Sequence, residues 1–294
     1  MIKPLSLSAI GSAVSERCKM LKRTITGTCY VAIIVAFFLL RQYVNPKLFN
    51  ILTYFFIVAG TFELSRMLSA YAIKGILIVS MTYAILFGIA YALTEYLLLP
   101  GYGWLVALDL TAVAVIALSV YSLIKNENGK TFLISLLPFV YPSLLLLTTL
   151  LANDMGFNGF IAVLLIFVVA PCADTMAYLV GSAIGGKKLC PKLSPKKTWS
   201  GAIGGVIGGG LGGFLLWLIC RPQLNFFSPV LFMIVTGLIA AVLTEIGDLF
   251  ESYIKRRSGV KDSGKILPGH GGVLDRIDGM MFASVFIYFI FLFV

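Results

Sequence analysis

Long apolar runs, repeated along the whole sequence, constrain the fold of this chain more than any other feature. A helix needs roughly 20 apolar residues to cross about 30 Å of hydrocarbon. We find nine such runs, at 25–43, 48–68, 75–94, 103–123, 131–152, 158–180, 199–219, 227–247 and 273–294. This pattern predicts an all-α, polytopic integral membrane protein with about nine transmembrane helices.

Charge is correspondingly scarce. Only 12% of the residues are charged and the mean hydropathy is +0.98, whereas soluble domains are about 25% charged. The N-terminal 20 residues are polar and lack the apolar core of a signal peptide, so we predict that the first run is a retained span. The five cysteines show no CxxC pair or metal-ligand spacing, which indicates free thiols.

The positions of lysine and arginine predict the orientation in the membrane. With the N-terminus in the cytoplasm, all but three of the 23 lysines and arginines fall on the cytoplasmic side, the exceptions being Arg41, Lys47 and Arg221. This bias agrees with the positive-inside rule and places the C-terminus outside. The net charge of +10 follows from the same bias and favours anionic lipid head groups, so it requires no nucleic-acid partner.

Polar residues divide the chain into parts with different predicted roles. We predict a cytoplasmic segment at 1–24, a membrane scaffold of five helices at 25–155 and a catalytic membrane domain at 156–294. The catalytic domain would contain four helices and two cytoplasmic loops, 181–198 and 250–272.

The predicted scaffold contains few ionisable side chains. Glu63 lies three residues before Arg66, which predicts an ion pair at a helix end. Asp109 lies in the first turns of its span, where the helix dipole tolerates a carboxylate. Neither pattern is specific, so these helices are interpreted as scaffold, dimer interface or lipid pocket.

Five lysines lie between residues 187 and 197, just before the seventh predicted span. Anchoring of a cytoplasmic loop explains them as well as a phosphate site does. The run Ser194-Pro195-Lys196-Lys197-Thr198 favours a phosphate site, because it directly precedes a helix whose free N–H groups and dipole attract anions. The candidate substrate-binding residues here are Ser194, Lys196, Lys197, Thr198 and Ser200.

Glycines recur along the seventh predicted span at spacings of three and four residues. A glycine-rich phosphate loop is one interpretation, but it does not suit an apolar span. Small residues at this spacing instead allow two membrane helices to pack closely. We therefore predict close helix packing, with only the first glycines near a ligand.

Carboxylates are concentrated between the eighth and ninth predicted spans. Asp275 and Asp278 share a helix face because they lie three residues apart, and Asp248 ends the preceding span. These three, with Asp174 from an apolar run, are predicted to hold one or two Mg²⁺ ions. Two such ions would stabilise the attacking and leaving oxygens of an in-line displacement. The alternative is a set of ion pairs with the nearby cations Lys255, Arg256 and Arg276.

The only histidine, His270, is flanked by Gly269, Gly271 and Gly272 in a segment that cannot be helical. Glycine allows the backbone to approach a ligand closely. We predict that His270, Gly271 and Gly272 contact a phosphate or a nucleotide.

Taken together, these residues resemble a known signature. From Ser252 to Asp278 the chain reads S-x-x-K-R-x-x-x-x-K-D-S-x-x-x-x-P-G-H-G-G-V-x-D-R-I-D. This run is similar to the signature of the phosphatidate cytidylyltransferases, also called CDP-diacylglycerol synthases. The runs Gly247–Ser252, Ser194–Thr198 and Asp174–Tyr178 also resemble that family, whereas the N-terminal half resembles it only in hydropathy. Ser200 departs from the pattern, where Glu or Gln is expected, and Arg257 extends the basic pair.

The resemblance implies transfer of CMP from CTP to phosphatidate, giving CDP-diacylglycerol and pyrophosphate. It implies Asp248, Asp275, Asp278 and Lys261 as catalytic residues and Mg²⁺ as the cofactor, with one or two divalent ions and possibly a monovalent cation. It extends the substrate-binding set to Arg256, Asp262 and Arg276. We further predict a homodimer in the cell inner (plasma) membrane, surrounded by membrane lipids, with its active site facing the cytoplasm.

Two other functions remain open. A polyprenol kinase or an ether-lipid cytidylyltransferase would share the CTP site and differ in the acceptor, since acyl-chain pockets are merely apolar. A cation-coupled transporter would also place carboxylates within the membrane. The sequence disfavours a transporter, because its polar cluster lies in loops and helix ends and the two halves show no repeat.

Overall fold

The computed structural model of the chain describes residues 7–294, a bundle of long helices with one small β-hairpin. The helices are α1 Leu7–Tyr43, α2 Leu48–Leu68, α3 Ile76–Leu93, α4 Gly103–Ile124, α5 Gly129–Pro138, α6 Leu145–Asp154, α7 Gly156–Ile184, α8 Trp199–Cys220, α9 Pro229–Arg257 and α10 Leu274–Phe291. The hairpin pairs β1 Lys188–Cys190 with β2 Ser194–Thr198. Two π-helical turns, Thr94–Leu98 and Phe139–Leu144, extend α3 and join α5 to α6.

Within the described residues, eight helical segments are long and apolar enough to cross a membrane. They include α5 and α6 as one continuous segment, Gly129–Asp154. The ninth predicted span corresponds to α10, whose first turns carry Asp275, Arg276 and Asp278. The prediction of a helical, polytopic membrane protein is confirmed. The predicted segment 1–24 lies partly outside the described residues, and its remainder belongs to α1.

The two predicted loops are shorter than the sequence indicated, because α7 continues to Ile184 and α9 continues to Arg257. Helix α7 stops at two glycines, Gly185 and Gly186, whose φ angles of 67° and 101° favour glycine. The chain then forms the hairpin, which the all-α prediction did not include. Thr198 ends the hairpin and caps α8 by accepting a hydrogen bond from the Gly201 N–H at 3.1 Å.

The glycines of α8 allow its backbone to touch two neighbouring helices. On one side Gly208 lies against the Cys172 carbonyl and the Met176 side chain of α7. On another side Gly213 lies against the Met233 carbonyl of α9, and a Cβ atom there would collide with that oxygen. The prediction that these glycines serve helix packing is confirmed.

Polar contacts at the C-terminal end of α1 anchor this helix to the bundle. Arg41 is buried, and it donates to the side-chain oxygen of Asn153 at 2.6 Å and to the Gly156 carbonyl at 3.3 Å. These bonds tie the end of α1 to the junction of α6 and α7. Between Met20 and Leu40, α1 presents many apolar side chains outward, as expected for a helix in contact with lipid.

The buried core extends across both predicted domains. Apolar residues from α2, α3, α6, α7, α9 and α10 form one continuous cluster, and α10 packs against α2, α6, α7 and α9. The predicted scaffold and catalytic domain therefore form one packed body. The functional division at residue 155 stays a prediction.

Candidate active site

Three carboxylates converge where α9 and α10 meet. Asp248 and Glu251 lie three residues apart on one face of α9, and Asp278 faces them from α10. One oxygen from each lies within 4.8 Å of the others. The helices approach this closely because Gly247 packs against the Asp278 carbonyl and Gly279 packs against Thr244. We call these three residues the acidic cluster.

Two lysines bind the edges of the acidic cluster without neutralising it. Lys255 Nζ lies 2.5 Å from Glu251 Oε2 and 2.7 Å from Asp275 Oδ1. Lys197 Nζ lies 3.0 Å from Glu245 Oε1 and 2.5 Å from Asp248 Oδ2. Among the described side chains, these are the only ion pairs, so the predicted pairing of Lys255 is present and that of Arg256 and Arg276 is not.

The excess of negative charge at this site, and a carboxylate oxygen without a hydrogen-bond partner, suit the binding of a divalent cation. Two lysines face five carboxylates: Glu245, Asp248, Glu251, Asp275 and Asp278. Glu251 is fully buried, and its Oε1 has no hydrogen-bond partner. A buried, unsatisfied carboxylate beside other carboxylates is costly unless a cation binds there. Carboxylate oxygens are the ligands that Mg²⁺ prefers, so the residues present suit such an ion.

The ion pairs keep Lys197 protonated. Burial by itself lowers the pKa of Lys197, but the carboxylates of Asp248 and Glu245 outweigh burial and raise the pKa above its ordinary value. Lys197 therefore carries a full charge at neutral pH, beside the acidic cluster.

Asp275 organises the loop that precedes α10. Besides binding Lys255, it accepts hydrogen bonds from the backbone N–H groups of Ser263 at 3.1 Å and Gly272 at 2.8 Å. The predicted ligand set placed Asp275 on the metal. In the structure its oxygens hold the loop, and Glu251, which the sequence analysis did not select, lies in the acidic cluster instead.

A cavity of about 650 Å³ is bordered by Asp248 and Asp278 of the acidic cluster and by five more of the predicted site residues. Its polar wall consists of Asp174, Asp248, Lys255, Asp262, His270, Asp275, Arg276 and Asp278. Two smaller cavities adjoin it through shared residues. One of about 400 Å³ is lined by Asp174, Lys196, Lys197, Thr198 and Asp248, and one of about 490 Å³ by Lys261, Asp262, His270, Gly271 and Arg276.

The opposite wall of the main cavity is apolar. It is formed by α1, through residues such as Ile34 and Phe38, and by α7, through residues such as Leu164 and Phe167. The cavity thus has an acidic floor, basic borders and an apolar side between two membrane helices.

His270 connects this apolar wall to the loop. Its ring packs against Gly27 of α1, where an added Cβ would lie 3.2 Å from the ring. Burial, with the charges of Arg276 and Arg23, lowers the pKa of His270 below its ordinary value. His270 is therefore neutral at pH 7, and its backbone carbonyl accepts a hydrogen bond from Arg276 at 2.8 Å.

Comparison with known proteins identifies the family of this chain. The profile of the Cytidylyltransferase family matches residues 21–294. The chain belongs to this family.

Several curated proteins resemble parts of this cytidylyltransferase-family chain. A phosphatidate cytidylyltransferase of Brucella abortus is 38% identical over 140 residues, which is 48% of this chain and 50% of that protein. One of Haemophilus influenzae is 38% identical over 160 residues, 54% of this chain and 55% of that protein. One of Bacillus subtilis is 34% identical over 123 residues, 42% of this chain and 44% of that protein. The chain spans about half the length of the curated relatives it matches.

Four of the predicted site residues of this cytidylyltransferase-family chain lie outside the three cavities. Ser194 pairs with Cys190 in the hairpin, and the Ser200 hydroxyl donates to the Gly185 carbonyl. Arg256 is exposed, with its Nε 3.4 Å from the Leu193 carbonyl oxygen. Gly272 donates its N–H to Asp275. These contacts support the two loops that border the cavities.

Glu63 binds the loop before α10, a contact that its sequence position did not predict. The predicted ion pair with Arg66 is wrong: Glu63 is 1% exposed and points into the loop before α10. It accepts hydrogen bonds from Ser263 Oγ at 3.1 Å and the Leu274 N–H at 2.9 Å. Its carboxylate fits because Gly264 has no side chain to fill that space. Glu63 therefore positions the loop that carries His270.

Replacing Glu63 with glutamine tests this positioning role. The amide keeps the size of the side chain but loses the charge that strengthens both hydrogen bonds. One such bond contributes about 1 kcal/mol, so we expect KM for the nucleotide to rise about fivefold with kcat less affected. Hydrogen exchange of residues 262–274 should speed up in parallel. Arg66→Gln is the matched control, and an equal effect there would contradict the assignment.

Tyr141 is another residue that the sequence analysis missed. Pro138 and Pro142 interrupt the helix between α5 and α6, and Tyr141 takes the non-helical angles φ −115° and ψ 108°. Its ring packs against Phe250 of α9, and its buried hydroxyl has no hydrogen-bond partner. The two prolines within an apolar run are the sequence feature from which this interruption of the helix could have been predicted.

Proposed function

We propose that this chain transfers CMP from CTP to phosphatidate, forming CDP-diacylglycerol and releasing pyrophosphate. The observation that carries the proposal is the acidic cluster, with its excess of carboxylates, on the floor of a cavity with basic borders and an apolar wall. Nucleotidyl transfer to a lipid requires such a combination, because a metal-bound polyphosphate and an acyl chain must meet at one site.

In this proposal Asp248, Glu251 and Asp278 would hold one or two Mg²⁺ ions, with Asp174 beside them. The metal would supply neutralisation of the negative charge on the reacting phosphates. Whether Asp275 also binds metal, and whether a monovalent cation joins the site, stay predictions.

Cationic side chains would orient the two substrates. Lys196 and Lys197 border one adjoining cavity, whereas Lys261 and Arg276 border the other. Each pair presents charge-assisted donors suited to phosphate oxygens. A phosphate oxygen of phosphatidate would attack the α-phosphorus of CTP as the bond to the β-phosphate breaks. Because that oxygen is already anionic, the reaction needs no strong general base.

The apolar wall suits the acyl chains of phosphatidate. The phosphate would lie near the acidic cluster while the chains lie between α1 and α7, in continuity with the bilayer. CTP would arrive from the cytoplasm through the adjoining cavities. The predicted inner-membrane location and the predicted homodimer belong to the same proposal, and chemical cross-linking in membranes would measure the oligomeric state.

The proposed reaction differs from its alternatives in its products. Purified protein incubated with cytidine-labelled CTP, Mg²⁺ and phosphatidate should release pyrophosphate and transfer the label to a lipid. A polyprenol kinase would instead release CDP and leave the label in water, and a transporter would produce neither. EDTA should stop the reaction, and excess Mg²⁺ should restore it. Labelled lipid formed from an ether-lipid acceptor but not from phosphatidate would overturn the proposed acceptor.

The cytoplasmic placement of the site has its own test. Cys190 lies in the hairpin, and Gln223 is exposed in the loop at the other end of α8. In a variant with Cys190 as its only cysteine, an impermeant thiol reagent should label opened membranes and leave intact cells unlabelled. A variant whose only cysteine replaces Gln223 should be labelled in intact cells. The reversed pattern would invert the proposed orientation.

A further inference from the structure

Helix α9 also borders a second cavity, on the face opposite the acidic cluster. Asp248 and Lys255 line the main cavity, whereas Phe250, Tyr253, Ile254 and Arg257 line a separate groove. This groove has a volume of about 430 Å³ and lies between the ends of α2 and α9 and the start of α5.

The groove has apolar walls and is open at the protein surface. The deeper part of the groove is lined by Leu68, Ile134, Leu137 and Ile254, and Leu133 beside them is 63% exposed. Helix α2 ends at Leu68, α9 ends at Arg257 and α5 begins at Gly129. The groove therefore lies where helices leave the apolar layer, at the same end of the bundle as the hairpin and the loop before α10.

Two cations stand at the mouth of the groove. Arg257 donates to the Tyr253 hydroxyl at 3.2 Å, and its guanidinium lies 5.4 Å from the Tyr253 ring centroid. Lys130 lines the same groove. In the described part of the chain, neither cation forms an ion pair with a carboxylate.

A buried polar atom completes the mouth. The Ser258 hydroxyl oxygen is inaccessible to solvent and has no hydrogen-bond partner among the described residues. Such a group is expected to gain a partner from a ligand or from water. The groove thus combines unpaired positive charge and an unsatisfied hydroxyl with an apolar channel, which complements an anionic amphiphile.

We propose that this groove binds an anionic phospholipid, with its head group at Lys130, Arg257 and Ser258 and an acyl chain along the apolar wall. Basic pockets between helices at the cytoplasmic membrane surface recognise lipids through this combination of charge and apolar contact. The site is separate from the main cavity because α9 lies between them, and it does not depend on the proposed reaction.

Native mass spectrometry of the detergent-solubilised protein, titrated with phosphatidylglycerol, tests the site. This lipid has no terminal phosphate monoester, so it does not imitate phosphatidate. Each basic residue near a lipid surface contributes about fivefold in affinity, so Lys130→Gln with Arg257→Gln should weaken binding at least tenfold. Leu133→Trp, at an exposed position, should also weaken binding by filling the groove without changing charge.

The controls separate this site from general charge attraction. Lys74→Gln with Lys125→Gln removes two exposed cations that do not line the groove, and it should leave binding unchanged. Phosphatidylcholine should bind more weakly than phosphatidylglycerol, and glycerol 3-phosphate should not compete. Equal losses in both double variants, competition by glycerol 3-phosphate or unchanged binding in the Lys130 and Arg257 variant would each overturn the proposal.

Discussion

Replacing Asp278, a metal ligand in the proposed mechanism, with asparagine should lower the rate of the proposed CDP-diacylglycerol formation by at least about a thousandfold, because a metal ligand stabilises transition-state charge by several kcal/mol. Asp278 faces Asp248 and Glu251 across the contact between α9 and α10. Asparagine keeps the size of the side chain but removes the charge that attracts a divalent cation. Initial rates with labelled CTP, measured across a Mg²⁺ titration, provide the test.

Folding has to be monitored in the same preparations. Removing one of several crowded carboxylates relieves repulsion, so the unfolding temperature of Asp278→Asn should be no lower than that of the unmodified protein. Its elution volume in size-exclusion chromatography should not change. Asp109→Asn, in α4 and away from the cavities, is the matched control and should retain full activity. A near-normal rate for Asp278→Asn at saturating Mg²⁺ would remove Asp278 from the metal site.

The second large effect concerns Lys197, which pairs with Glu245 and Asp248 at the border of the acidic cluster. Lys197→Ala should reduce kcat/KM at least tenfold, because a charge-assisted contact contributes about 1.5–3 kcal/mol. Lys197→Arg should recover part of this loss, since it keeps the charge but not the shape. Steady-state kinetics with CTP and phosphatidate varied separately would show which substrate the lysine serves.

Neighbouring lysines provide the comparison. Lys187 is exposed and lines none of the cavities of the site, so Lys187→Ala should change kcat/KM less than about threefold. Lys196 is exposed at the mouth of the adjoining cavity, and its loss should have an intermediate effect. Equal and small effects at all three positions would indicate that the basic loop serves only to orient the protein in the membrane.

The sequence predicted those features that depend on local pattern. Apolar run length predicted the helices, glycine spacing predicted the packing of α8, and the position of Thr198 before an apolar run predicted where that helix begins. Asp248 and Asp278 were predicted as neighbours and lie together in the acidic cluster.

Features that depend on contacts between distant segments were not predictable in the same way. Glu63 acts on Leu274, more than two hundred residues later, and nothing in its local sequence indicates that partner. Glu251 entered the acidic cluster because α9 continues to Arg257, beyond the apolar run, so that its charged last turns share the face of Asp248. Tyr141 packs against Phe250 of α9 where the chain leaves helical geometry between two prolines.

The glycine contacts also determine which parts of the protein are stiff. Gly208 brings α8 onto α7, Gly213 brings α8 onto α9, and Gly247 brings α9 onto α10, in each case against a main-chain carbonyl. Backbones in direct contact cannot slide or separate by changing side-chain rotamers. These contacts therefore limit how far the helices that carry the carboxylates can move relative to one another. We expect any widening of the cavity to admit a lipid to come from α1, which contacts the loop before α10 through the His270 ring at Gly27 and is joined to the junction of α6 and α7 by Arg41.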